Sequence, residues 1–167
     1  MKNILFGLMI IGFTGCLKSG EDTSTATCTY DACAYKAPAS EIQAVQDYLT
    51  ANTITATQHC SGVFYIIDNP GTGRSVTACG AIKATYIGKL TNGNIFDQGT
   101  FDRFIALSDL VGGWINTIPL IKEGGKIRLY IPPSLGYGSA DRKDANGAVV
   151  IPGNSILIFD VTLDTVY

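Results

Sequence analysis

The chain has 167 residues, 46% of them hydrophobic, which is enough for one packed domain and an extension. A formal charge of -2, a pI near 5.2 and the lack of any Lys/Arg cluster exclude a nucleic-acid surface. The single histidine, His59, has no serine and carboxylate partners in sight, so triad chemistry is excluded too, and neither a cofactor nor a metal is expected.

Residues 1–15 read as an export signal. Lys2 supplies a positive start, Ile4 to Phe13 is an apolar run too short to anchor stably across a bilayer, and Phe13-Thr14-Gly15-Cys16 closes it. The segment resembles a bacterial lipoprotein signal, which implies cleavage before Cys16 and lipidation of that residue. The mature protein is then expected in the bacterial cell envelope, held to a membrane by lipid and facing the periplasm or the cell surface.

Four more cysteines follow, Cys28, Cys33, Cys60 and Cys79, an even number in an exported chain, so disulfides are expected. Three pairings are open. A local clip from Cys28 to Cys33 is favoured, with Cys60 joined to Cys79 across what reads as a hairpin. Zinc is the rival reading, but no C-x2-C pair is present.

Residues 16–37 are small and polar without an apolar period and read as a flexible tether. Residues 38–59 hold a helix and a linker: Ser40 and Gln43 have capping-box spacing, and Ile42, Val45 and Leu49 recur at helical intervals from about Ser40 to Ala51. Such a stripe packs on its own domain more often than it dimerises. Residues 60–167 change period. Val63 to Ile67 and Ile82 to Ile87 read as strands around the turn cluster Asn69-Pro70-Gly71-Thr72-Gly73, and Asn92-Gly93 as a tight turn. Leu110, Trp114 and Ile118 mark a short helix, with Asp109 as a candidate cap and Pro119 as a terminator or a kink. Lys126 to Ile131 and Ser155 to Leu163 alternate as half-buried strands. The expected fold is α+β, a curved antiparallel β-sheet wrapped around one short α-helix, with an N-terminal helical extension.

Between Tyr86 and Phe159 lie Phe96-Asp97, Gly113-Trp114, Tyr137-Gly138 and Ile151-Pro152, an aromatic set without histidine or cysteine. With Asn92-Gly93, Val111-Gly112-Gly113-Trp114, Lys126 to Pro132, Leu135-Gly136-Tyr137-Gly138 and Leu157 to Val161, their order resembles the FKBP-type peptidyl-prolyl cis-trans isomerases. The resemblance implies a proline pocket with Trp114 as floor, Tyr86, Phe96 and Phe159 as walls, and Leu110, Val111, Val150 and Ile151 at the rim. Tyr137 would donate a hydrogen bond to a substrate carbonyl, and Asp97 would lie beside the rotating amide. Proline-containing unfolded or loop segments of exported proteins are the implied substrates, and macrolides the implied inhibitors. The rival reading is a catalytically weak module or chaperone that holds proline turns in the same pocket. Two features depart from the pattern. Phe104 and Ile105 compete for an aromatic wall position, and the loop from Tyr137 to Ile151 is long and polar.

Physical chemistry makes an apolar pocket sufficient for this reaction. The planar X-Pro amide owes its barrier of ~18–20 kcal/mol to a charge-separated resonance form. Water favours that form, so a dry aromatic box penalises the planar state more than the twisted one.

Overall fold

The computed structural model describes residues 27–167; the signal segment, Cys16 and the start of the expected tether lie outside the described residues. Among the described residues no helix is long and apolar enough to cross a membrane.

Helix α1 spans Ala39–Ala51. Pro38 precedes it and no side chain caps it, so Ser40 sits inside the first turn rather than at the cap; Gln43 bonds forward to Asp47 (2.8 Å) instead of back. The helix ends where the Asn52 side chain bonds to the Tyr48 carbonyl and Thr53 turns to a φ of 57°. Its apolar stripe is buried on the protein's own sheet: Val45 and Leu49 pack with Phe64, Tyr130 and Ile158.

The strands are β1 (Thr57–Gln58), β2 (Phe64–Asn69), β3 (Ala81–Leu90), β4 (Ile95–Thr100), β5 (Ile105–Ala106), β6 (Lys126–Ile131), β7 (Arg142–Lys143), β8 (Val149–Ile151) and β9 (Leu157–Val166). The main sheet runs in the order β1-β2-β6-β9-β3-β4, with β5 also on β3, and every pairing is antiparallel. This is the curved antiparallel sheet expected from the alternating segments. Sheet pairing reaches upstream of residue 60, because Thr57 and Gln58 pair with Tyr65 and Phe64.

Register assigns the two faces. Leu129 lies opposite Phe159, and Phe159 opposite Gly88, so their side chains share the inner face that covers the short helix α2 (Gly112–Thr117). One position along, Tyr130 and Ile158 pair on the outer face under α1. Farther along that outer face Arg128 and Asp160 are opposite, and Asp160 accepts from Arg128 Nε and, at 3.0 Å, from Lys89 Nζ. Burial would raise the Asp160 pKa, but these two cations outweigh it and hold the carboxyl below its ordinary value. Asp160 therefore ties three strands together on the side away from α2.

The favoured cysteine pairing is corrected. Cys28 joins Cys79, and Cys33 joins Cys60, with Cα atoms 5.7 and 5.4 Å apart. The topology explains the error: β2 and β3 are not a hairpin, since β6 and β9 lie between them, so Cys60 and Cys79 do not flank a common turn. Residues 27–37, expected as part of the tether, are thus fastened to the domain at two points. Ala37 is buried and its N–H donates to the Ser61 carbonyl at 2.9 Å. His59 stands beside Cys33 and Cys60, but both sulfurs are used in the disulfide, and its Nδ1 accepts the Ser61 backbone N–H at 3.2 Å.

Candidate active site

Tyr86 and Phe159 are brought together by their strands. Tyr86 pairs with Val161 in the β3–β9 ladder, which puts it and Phe159 on the same inner face, two residues apart along the sheet. The helix supplies the third ring: Trp114, only 3% exposed, meets Phe159 edge-on at 5.4 Å and Tyr86 edge-on at 5.6 Å. Such edge-to-face pairs are favoured by the ring quadrupole, and they fix the three planes relative to each other. Glycine makes the approach feasible at two points. A Cβ on Gly88 would lie 2.7 Å from Phe96 Cζ and 2.8 Å from Phe159 Cε1, and one on Gly113 would lie 2.6 Å from Ile131 Cδ1.

The rings form the walls of an open pocket of about 160 Å³, lined by Tyr86, Asp97, Phe101, Asp109, Leu110, Val111, Trp114, Tyr137 and Phe159. A cavity of about 150 Å³ in an apolar core can hold a benzene, so one proline ring is within its capacity. Polar groups are few. The Tyr86 hydroxyl donates to Asp97 Oδ2 at 2.8 Å. Burial first, and then the Asp97 hydrogen bond and charge, push the Tyr86 pKa up to about 12. Burial, helped by the Asp97 charge and opposed by Arg142, also raises that of Tyr137. Both phenols are therefore protonated donors at neutral pH. Trp114 Nε1 is buried without a partner, a further donor in the wall of the site.

Seven of the residues expected at the site line the pocket: Tyr86, Asp97, Leu110, Val111, Trp114, Tyr137 and Phe159. Phe96 does not line it directly; its ring meets Phe159 at 5.5 Å and Tyr137 at 6.5 Å, supporting both edge-on. Ile151 is buried in the core, and Val150 is 41% exposed on β8, next to the pocket's loop rather than in its lining.

Two lining residues were missed. Phe101 fills the wall position for which Phe104 and Ile105 competed: it packs on Tyr86 at 5.2 Å and on Trp114 at 6.2 Å, whereas Phe104 meets Tyr167 at a tilt and has Lys83 Nζ 5.3 Å from its ring centroid. No local period separates Phe101 from Phe104, because Phe101 follows the end of β4 and is placed by its N–H bond to the Ala84 carbonyl. Asp109 does not cap α2. It ends a separate turn, Leu107–Asp109, the helix begins after Val111 without a side-chain cap, and Asp109 borders the pocket instead.

The long loop after Tyr137 carries its own hairpin. Arg142 pairs with Ile151, and Asp144 Oδ1 accepts the N–H groups of Asn146 (2.9 Å) and Ala148 (2.8 Å). The Arg142 guanidinium lies 5.1 Å from the Tyr137 ring centroid, so the ring contacts a cation as well as Phe96.

A family model described as FKBP-type peptidyl-prolyl cis-trans isomerase matches residues 73–164, more than half of the chain and nearly all of the pocket-bearing part. The chain belongs to this family of FKBP-type isomerases. It is 44% identical over 108 residues to an FKBP-type peptidyl-prolyl cis-trans isomerase FkpA from Buchnera aphidicola subsp. Schizaphis graminum, a match covering 62% of this chain and 40% of that one. The chain thus spans about two fifths of the length of the curated FKBP relatives that it matches. In three dimensions it is similar to a peptidyl-prolyl cis-trans isomerase from Pseudomonas syringae pv. tomato, with a TM-score of 0.64 and 27% identity over 78% of this chain and 97% of that one. FkpA from Escherichia coli superposes with a TM-score of 0.63 at 30% identity, over 77% and 60% of the two chains. The structural likeness covers more of the chain than residues 73–164, so it extends beyond the segment that the family model matches.

Proposed function

We propose that this protein is a peptidyl-prolyl cis-trans isomerase that speeds X-Pro rotation in exported proteins, working from a lipid anchor at Cys16 in the bacterial cell envelope. The observation that carries the reading is the aromatic pocket with protonated phenol donors and two exposed carboxylates, Asp97 and Asp109, in its lining. In it the proline ring rests on Trp114 between Tyr86, Phe101 and Phe159. Burial strips water from the amide, and the charge-separated planar form loses more by this than the twisted form does. Tyr137 donates to a substrate carbonyl flanking the proline and holds the twisted geometry, while Asp97, kept in place by the Tyr86 hydroxyl, lies beside the rotating bond.

Substrates on this reading are unfolded or loop segments with an apolar residue before proline, because the approach to the pocket is bordered by Leu110 and Val111. A macrolide that fills the same apolar volume would compete with them. The family match, the signal-like residues 1–15 and the two disulfides support an exported isomerase. The test is a protease-free isomerisation assay on short peptides that vary the residue before proline, with and without a macrolide, beside fatty-acid labelling of the expressed chain and its Cys16→Ser variant. The reading requires acceleration that the macrolide suppresses and label that is lost in Cys16→Ser. A folded protein with no acceleration on any peptide ends the enzyme claim, and label retained in Cys16→Ser ends the anchor claim.

A further inference from the structure

The pocket is framed by two short elements that cannot hold themselves in place. Helix α2 has six residues, too few for a stable isolated helix, and no side chain caps its start. The turn Pro133–Leu135, three residues long, leads through Gly136 to Tyr137. Each is tied to the N-terminal extension by one long-range hydrogen bond. The Tyr30 hydroxyl donates to Asn116 Oδ1 at 2.6 Å, across 86 positions, and Asn116 is 4% exposed on α2, two residues after Trp114. The Ser134 backbone N–H donates to Glu41 Oε2 at 2.8 Å, across 93 positions. Pro132 and Pro133 have no N–H to give, so Ser134 is the first donor of the turn that Gly136 and Gly138 close onto the Pro133 carbonyl.

We propose that Tyr30 and Glu41 are positioning residues, through which the N-terminal extension sets the placement of Trp114 and Tyr137. The inference rests on the isomerase reading above and adds to it residues that lie outside the matched 73–164 segment. Packing alone does not account for Tyr30. It is 45% exposed, yet its hydroxyl reaches a buried carboxamide whose oxygen would otherwise lose this partner. The extension is itself anchored at the right places: Cys28–Cys79 and Cys33–Cys60 bracket Tyr30, and the Ala37 bond to Ser61 leads into α1 and Glu41. A connected route of covalent and hydrogen-bond links therefore runs from the disulfides to both elements that frame the pocket.

The test uses the full chain with Tyr30→Phe, Glu41→Ala and Glu41→Gln. Trp114 is the only tryptophan, so its emission reports the pocket directly, and its change on adding a proline peptide reports binding without any turnover. Losing one such bond should lower kcat/KM by about three- to tenfold. For Tyr30→Phe the loss should fall mainly on KM and the Trp114 emission should move. For Glu41→Ala it should fall mainly on kcat, and Glu41→Gln, which keeps an acceptor oxygen, should recover most of it. Parental kinetics and emission in Tyr30→Phe and Glu41→Ala would overturn the proposal. So would losses that match the unfolded fraction seen in melting, with Glu41→Gln no better than Glu41→Ala. Should the parent itself lack turnover, the isomerase reading fails, and peptide-induced emission changes in the same variants still decide the positioning claim.

Discussion

The pocket and the N-terminal extension differ in how they are held. The pocket is made of rings that touch each other, Trp114, Tyr86 and Phe159 within 6.3 Å centroid to centroid, with Tyr86 and Phe159 on neighbouring paired strands and Trp114 on α2. The extension has little core of its own between residues 27 and 37, and is held by covalent and single polar links: two disulfides, Tyr30 to Asn116, and Ala37 to Ser61. Close-packed rings feel any loss of volume because their contacts are dense, whereas point links concentrate the stabilisation in a few polar or covalent atoms. The pocket should thus respond gradually to polar changes and sharply to loss of volume, and the extension should do the reverse.

The largest effect should come from Trp114→Ala. Removing a buried aromatic costs about 3–5 kcal/mol and leaves a cavity where the pocket floor was. Denaturant melts should show that loss and peptide binding should vanish; near-parental stability would mean the rings do not support each other as described. Next in size is removal of the disulfides. Their loops of 51 and 27 residues are each worth about 3.5–4 kcal/mol in the chain-entropy account. Paired Cys28→Ser/Cys79→Ser and Cys33→Ser/Cys60→Ser variants should each lose stability in that range, and non-reducing peptide mapping should find Cys28 linked to Cys79 and Cys33 to Cys60.

Smaller changes are expected from the polar groups of the pocket. One hydrogen bond contributes about 0.5–1.5 kcal/mol, and tenfold in rate needs about 1.4 kcal/mol, so Tyr137→Phe and Asp97→Ala should each keep at least about a tenth of kcat/KM. Complete loss from Tyr137→Phe in a folded protein would mean that the phenol does more than steady a carbonyl. Smallest is the effect of pH across the neutral range. With Tyr86 raised from 10.0 to about 12, and Tyr137 raised too, kcat/KM should stay flat from about pH 6 to 9. A raised phenol pKa stabilises the fold below the unfolded value and is lost as pH climbs, so stability should fall between pH 10 and about 12, and less so in Tyr86→Phe. At the acid end the sign is opposite: the depressed Asp160 carboxyl stabilises above its unfolded pKa, and that contribution disappears as pH drops through the folded value.

The same contrast explains what was legible in the sequence. Strands β6 and β9 alternate because one face meets α2 and the other meets α1 or solvent, so period alone placed them. Trp114, Tyr86, Phe159 and Tyr137 were legible because their motifs keep a fixed order along the chain. Phe101 was not, since a loop residue beyond a strand end has no period and is placed by a bond to Ala84 on another strand. The disulfide pairs were hidden for a related reason: partners of Cys28 and Cys33 depend on which strands lie between β2 and β3, which is a property of sheet order. Tyr30 and Glu41 act across 86 and 93 positions, and nothing near them in the chain signals it.

The most direct measurement is the isomerisation rate of a short apolar-Pro peptide with and without the full disulfide-bonded protein, followed beside the emission of Trp114. The account requires acceleration at substoichiometric protein, with an emission change that saturates over the same peptide concentrations as the rate. A folded protein that shows the emission change and no acceleration would make the pocket a binding site only, and would contradict the central claim.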